Sequence, residues 1–132
     1  MKILVVVDMK NDFITGALGT KEAQAIVPKI QQKIDQCRKE DNLVVFTQDT
    51  HDENYLNTQE GKHLPIPHCI HGSDGWKLVY DAHGDLVHKK STFGSERLVK
   101  TIRNFFHYFS PDRNNSIELV GVCTGICVLS NA

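Results

Sequence analysis

No stretch of this sequence approaches the roughly 18 consecutive apolar residues that a membrane-spanning helix needs. The apolar run at residues 3–7, ILVVV, stops at Asp8, and no small-residue cleavage site follows it. A secretory leader is therefore not expected. Charge of one sign is missing too: 15 Lys and Arg face 16 Asp and Glu, for a formal net charge of -1. No block of like charge suggests a nucleic-acid or membrane surface, which leaves small, weakly charged molecules as the expected partners. Cysteine is sparse. Cys37, Cys69, Cys123 and Cys127 could form two disulfides, but nothing else looks secreted, so free thiols in a reducing cytosol are expected. Internal repeats and low-complexity segments are absent. What is present is a chain of 132 residues, 40% hydrophobic, enough for one domain with a substantial core.

The order of elements is that of an α/β protein. Residues 3–7 form a β-branched run suited to a strand covered on both faces, as in a parallel sheet. Between about Thr20 and Lys39, the spacing of Ala23, Ile26, Val27, Ile30 and Ile34 predicts a helix, with Pro28 tolerable only in a first turn. LVVF at 43–46 is a second buried strand. From Gln48 to Gly84 the periodicity breaks in a long loop that holds five of the seven histidines, together with Pro65 and Pro67. Loops of that length are usually functional or disordered. A third strand is expected at 86–88 and a helix from Ser95 to about Tyr108, with Leu98, Val99, Ile102, Phe105, Phe106 and Phe109 on or near one face. IELVGV at 117–122 predicts a fourth strand, followed by the turn CTGIC and a helix beginning near Val128. With barely one turn before Ala132, residues 1–132 look like the front part of a longer single domain, its C-terminal portion missing.

Three reactive side-chain types fall at strand ends. Asp8 closes the first strand, Lys89 and Lys90 follow the third, and Cys127 lies a few residues beyond the fourth at a helix N-terminus. If the strands are parallel, their carboxyl ends share one ligand crevice. The chemistry is then coherent. A thiolate attacks a carbonyl, a carboxylate takes the thiol proton and returns it to the leaving group, and an ammonium keeps the thiolate charged. Backbone N–H groups of Ile126 and Cys127 could hold a tetrahedral oxyanion, because a helix start leaves such donors uncommitted. Each piece alone has a plainer reading. A buried thiol is more often a small core hydrophobe, a strand-ending Asp is often a turn former, and adjacent lysines are usually solvated. A redox pair of Cys123 and Cys127 competes as well, but C-x-x-x-C is not the C-x-x-C of disulfide oxidoreductases. In the loop, Asp49 and His51 are two apart and could grip one metal, with His68 as a third ligand and positions left for water or a substrate nitrogen. Against this, surface loops carry histidines anyway.

Three segments together resemble a known family. DMKNDF at 8–13 resembles the D-x-x-N-D-F signature of the isochorismatase-like cysteine hydrolases, KSTFGS at 90–95 their lysine segment, and GVCTGICV at 121–128 their nucleophile turn. The order and spacing match from Met1 to the end of the chain. The resemblance implies a three-layer α/β/α, Rossmann-like parallel sheet and a triad of Asp8, Lys90 and Cys127. Lys90 is preferred to Lys89 because it stands three residues before Phe93, as in relatives with this T-F-G-S form. It also implies a cis peptide between Val122 and Cys123, and oligomers of the chain.

Within that family the nicotinamidase and pyrazinamidase branch carries a D-x-H pair after the second strand and a P-H-C histidine later, ligating zinc or a related divalent ion such as manganese or iron. The matching residues are Asp49, His51 and His68. This implies a nicotinamidase that converts nicotinamide to nicotinate and ammonia through a thioester. Two positions depart from the pattern. Ile66 stands where a tryptophan is common, and Ile126 where an acidic or aromatic residue is frequent, leaving Phe13 as the aromatic wall for a ring. Another amide, ureido or carbamoyl substrate is the alternative, and a catalytically silent binding or scaffold protein is the reading from another class.

Overall fold

The computed structural model describes residues 2–51, 54–57, 62, 66, 69–82, 86–90, 96–109 and 114–121. Four described strands, β1 (Lys2–Val7), β2 (Leu43–Asp49), β3 (Leu86–Lys90) and β4 (Ser116–Gly121), form one sheet in the order β3-β2-β1-β4. All three pairings are parallel, with Val7 opposite both Thr47 and Gly121. The expected α/β class and parallel sheet are both observed. The chain steps from β1 outward to β2 and β3, then returns to place β4 on the other side of β1. Such a reversal is a topological switch point, and it opens a crevice at the carboxyl ends of β1 and β4.

Alternation along the strands separates two cores. Leu4, Val6, Val44 and Phe46 pack with Ala23, Ile30, Ile34 and Cys37 of helix α2 (Lys21–Lys39). Ile3, Val5, Val7 and Val45 pack with Leu98 and Ile102 of helix α3 (Glu96–Phe109). The sheet therefore lies between helices in three layers, which explains why its central strands are apolar on both faces. Among the described residues no helix is long and apolar enough to cross a membrane.

Several local expectations need correction. Pro28 is not in a first turn; it is the eighth residue of α2, and the helix runs through it. The helix loses one backbone hydrogen bond there, but two side-chain hydrogen bonds hold the turns before the proline, and buried Ile30, Ile34 and Cys37 anchor the turns after it. Thr20 caps it by accepting from the Ala23 N–H at 3.0 Å, and the Tyr80 hydroxyl donates to the Val27 carbonyl at 2.8 Å. Burial pushes the Tyr80 phenol up to about 12. On α3, Val99 is 46% exposed rather than part of the buried stripe. Strands β2 and β3 run on to Asp49 and Lys90, because pairing of Gln48 with Lys89 and Asp49 with Lys90 extends the ladder past the apolar residues. Among its described residues, the stretch from Gln48 to Gly84 holds 3-10 turns at Tyr55–Asn57 and Asp74–Trp76.

Candidate active site

Asp8 follows the last residue of β1 and is completely buried. Its backbone has φ 53, in the left-handed region. Aspartate tolerates that region better than most residues, yet such outliers cost on the order of 1–3 kcal/mol and concentrate at functional sites. Two hydrogen bonds hold the bend: the Asp8 N–H donates to Thr47 Oγ1 on β2 at 3.3 Å, and the Lys10 N–H donates to the Asp8 carbonyl at 2.9 Å. On the other side, β4 ends at Gly121 with φ 143, where an added Cβ would lie 2.1 Å from the Val7 carbonyl oxygen. Only glycine permits this approach, so the chain leaving β4 starts beside the end of β1. Cys127 comes six residues later in the sequence.

The side chain of Lys10 folds back over this bend. It is fully buried, with Nζ 3.6 Å from Asp8 Oδ1 and 4.8 Å from the centroid of the Phe13 ring. Phe13 lies on the short helix α1 (Asn11–Ile14) and is buried in the α2-side core. Sequence reading missed Lys10 entirely, since a lysine in a polar motif looks solvated.

The rest of the D-x-x-N-D-F segment fastens the long loop. Asn11 donates its side-chain amide to the Asp74 carbonyl at 2.8 Å, and its backbone N–H bonds the Lys77 carbonyl at 3.1 Å. Asp12 Oδ2 accepts from the Cys69 N–H at 2.7 Å. Cys69 is buried and also left-handed, at φ 51, and its carbonyl accepts from the His51 N–H at 2.9 Å. His51, itself buried, forms a parallel bridge with Ile70, while Lys10 forms an antiparallel bridge with Leu78. The loop is thus stitched across the carboxyl ends of β1 and β2. Charge-assisted bonds such as that from Cys69 to Asp12 are the stronger kind.

The lysine pair divides. Lys89 holds its ammonium 4.9 Å from the centroid of the Trp76 ring, and Trp76 donates from Nε1 to Thr50 Oγ1 at 2.9 Å. Lys90 occupies the position in β3 paired with Asp49 in β2. Cys127, Ile126, His68 and the Val122–Cys123 peptide lie outside the described residues, as do the side chains of Asp49 and Lys90. Among the described residues no group of three His, Cys, Asp or Glu side chains is placed to hold a metal. The donor set expected from the sequence nevertheless suits a divalent ion: one carboxylate and two imidazoles, with Asp49 the last residue of β2, His51 two residues beyond it, and Cys69, the sequence neighbour of His68, hydrogen-bonded to His51.

Comparison with known proteins agrees with this arrangement. The isochorismatase domain matches residues 2–132. The chain is 24% identical, over an alignment spanning 163 positions, to the nicotinamidase of Schizosaccharomyces pombe, covering 98% of this chain and 74% of that one. Pyrazinamidase of Pyrococcus horikoshii, solved in complex with zinc, superposes with a TM-score of 0.78 at 28% identity, over 96% of this chain and 73% of that one. N-carbamoylsarcosine amidase of Thermoplasma acidophilum superposes equally well, with a TM-score of 0.78 at 25% identity, over 98% and 72% of the two chains. A buried aspartate at the switch point of a parallel sheet, and a domain match along nearly the whole length, place this chain in the isochorismatase family of hydrolases.

Proposed function

We propose that the chain hydrolyses a carboxamide, with nicotinamide as substrate, and that Asp8, Lys90 and Cys127 carry the reaction. The observation behind this is the position of Asp8: fully buried, at the carboxyl end of β1, with Thr47 of β2 on one side and Gly121, the start of the cysteine turn, on the other. Asp8 takes the thiol proton of Cys127. The thiolate attacks the amide carbon, and the N–H groups of Ile126 and Cys127 hold the resulting oxyanion. Collapse of this intermediate breaks the carbon–nitrogen bond as Asp8 passes its proton to the departing ammonia. Water, deprotonated by Asp8, then cleaves the thioester, releasing nicotinate and restoring the thiol. Lys90 supplies the positive charge that stabilises the thiolate before it attacks and again as it leaves the thioester. Lys89 suits that role less, because its ammonium is engaged over Trp76.

Asp49, His51 and His68 would hold a divalent ion, for which zinc has a precedent in the Pyrococcus horikoshii pyrazinamidase. When bound, such an ion would supply a Lewis acid that could orient a ring nitrogen. Phe13 would form an aromatic wall, with one part of its ring already covered by the Lys10 ammonium. A carbamoyl or ureido substrate is the second reading. It is favoured by the equal structural match to N-carbamoylsarcosine amidase and by Ile66, 39% exposed, at the position where a ring-stacking tryptophan would mark nicotinamide.

Binding separates the two. Nicotinamide titrated calorimetrically into zinc-loaded and chelator-treated protein is expected to bind the loaded form about tenfold tighter, the worth of one good polar contact. Equal affinity for both forms would reject a metal-oriented pyridine and favour the carbamoyl reading.

A further inference from the structure

One buried charge has no part in the chemistry described so far. Lys10 is among the largest of the fully buried side chains described, and the family signature D-x-x-N-D-F leaves its position unspecified. Burying an ammonium costs several kcal/mol even after relaxation, and that cost is offset only when an opposite charge lies nearby. A methionine or leucine would fill the same volume without it. Among the groups near the charge of Lys10 are the Asp8 carboxylate at 3.6 Å and the Phe13 ring at 4.8 Å. Its backbone is fixed as well, by the hydrogen bond to the Asp8 carbonyl and the bridge to Leu78. The ammonium therefore comes from a rigid bend and reaches back to the carboxylate of that same bend.

We propose that Lys10 is a positioning residue for Asp8: its ammonium holds the carboxylate in the orientation from which it exchanges a proton with Cys127. The separation of 3.6 Å is longer than the roughly 2.7–2.9 Å of a tight charge-assisted bond. Lys10 thus restrains the carboxylate by charge without gripping it, which leaves Asp8 able to take and return a proton in each half-reaction. The bend at φ 53 fixes the backbone of Asp8 and Lys10 fixes its side chain, so the base is ordered before substrate arrives. This inference rests on the reading of Asp8 as the base of the cysteine, and it does not depend on which amide is the substrate.

The test compares four proteins, wild type, Lys10→Met, Asp8→Asn and the double variant, by the rate at which iodoacetamide modifies Cys127 near neutral pH. That rate reports on the Asp8–Cys127 unit without any substrate. Lys10→Met is expected to slow modification by about 10²-fold, the scale of a misplaced catalytic group. In the double variant it should add nothing to the effect of Asp8→Asn, because it acts through Asp8. Lys10→Arg, which keeps the charge, should recover most of the rate and serves in place of Lys10→Met if that protein does not fold. Unchanged modification in Lys10→Met, or additive losses in the double variant, would overturn the inference and leave Lys10 as a packing residue. Hydrolysis of nicotinamide measured in parallel keeps the two readings apart. A wild type that shows the coupled alkylation pattern yet leaves nicotinamide intact would reject the substrate and support the role of Lys10.

Discussion

Replacing Asp8 by Asn is expected to lower kcat for amide hydrolysis by about 10²- to 10⁴-fold, the usual worth of a positioned general base, with KM little altered. Asparagine keeps the shape of the side chain in a site that is completely buried, so the binding surface survives. It cannot accept the thiol proton, however, and cannot supply one to the leaving ammonia. The same substitution removes the anion that faces Lys10 at 3.6 Å. Breaking a buried pair from one side costs about 3–5 kcal/mol, whereas replacing both members is often neutral. Denaturant unfolding should therefore show Asp8→Asn strongly destabilised, and the Asp8→Asn, Lys10→Met double variant closer to wild type. An Asp8→Asn protein with wild-type kcat would remove Asp8 from the chemistry. A double variant less stable than either single one would show that the two side chains do not compensate each other.

Iodoacetamide in stoichiometric amount is expected to alkylate Cys127 ahead of Cys37, Cys69 and Cys123 and to abolish hydrolysis as it does so. The thiolate, not the thiol, is the nucleophile, and buried structural cysteines are inert. Cys37 and Cys69 fit the inert description. Cys37, on α2, is buried against β2 with Sγ 3.6 Å from the Leu43 carbonyl oxygen, and Cys69 is wholly buried at the point where Asp12 fastens the loop. Peptide mapping by mass spectrometry should find a difference of about tenfold or more in labelling rate. Equal labelling at all four cysteines would argue against an activated nucleophile.

The central strands were the most legible part of the fold. ILVVV and LVVF are apolar throughout because β1 and β2 are covered on both faces by α2 and α3, so their pattern had little other explanation. Strand β3 showed less clearly. Leu86 and Val87 are 43% and 39% exposed, and its last residues, Lys89 and Lys90, are strand because of their partners in β2 and not because of their own character. Pro28 misled for a related reason. Local propensity argues against a proline eight residues into a helix, but a buried stripe and a tyrosine hydroxyl hold the turns around it.

The candidate site was legible as a set of residue types at strand ends, and the parallel order β3-β2-β1-β4 places those ends on one edge. What could not be seen is how the site is held. Asn11 and Asp12 stand in the signature as though they were chemical groups, yet in the structure they bind the loop at Asp74, Lys77 and Cys69. Gly121 is required by a close approach to Val7 that no local pattern announces. Lys10 has a polar neighbourhood in sequence and none of the periodicity of a core position. Its burial follows from the left-handed bend at Asp8, a tertiary feature that exists only once β1, β2 and the loop are assembled.

The most direct test of the account is the release of ammonia from nicotinamide by the wild-type chain and by Cys127→Ala, followed with nicotinate formation in the same samples. Wild type is expected to yield the two products in equal amounts, and the variant to lose about 10⁴-fold or more in rate, as enzymes do when their nucleophile is removed. Equal ammonia release by the two proteins would contradict a mechanism that passes through Cys127.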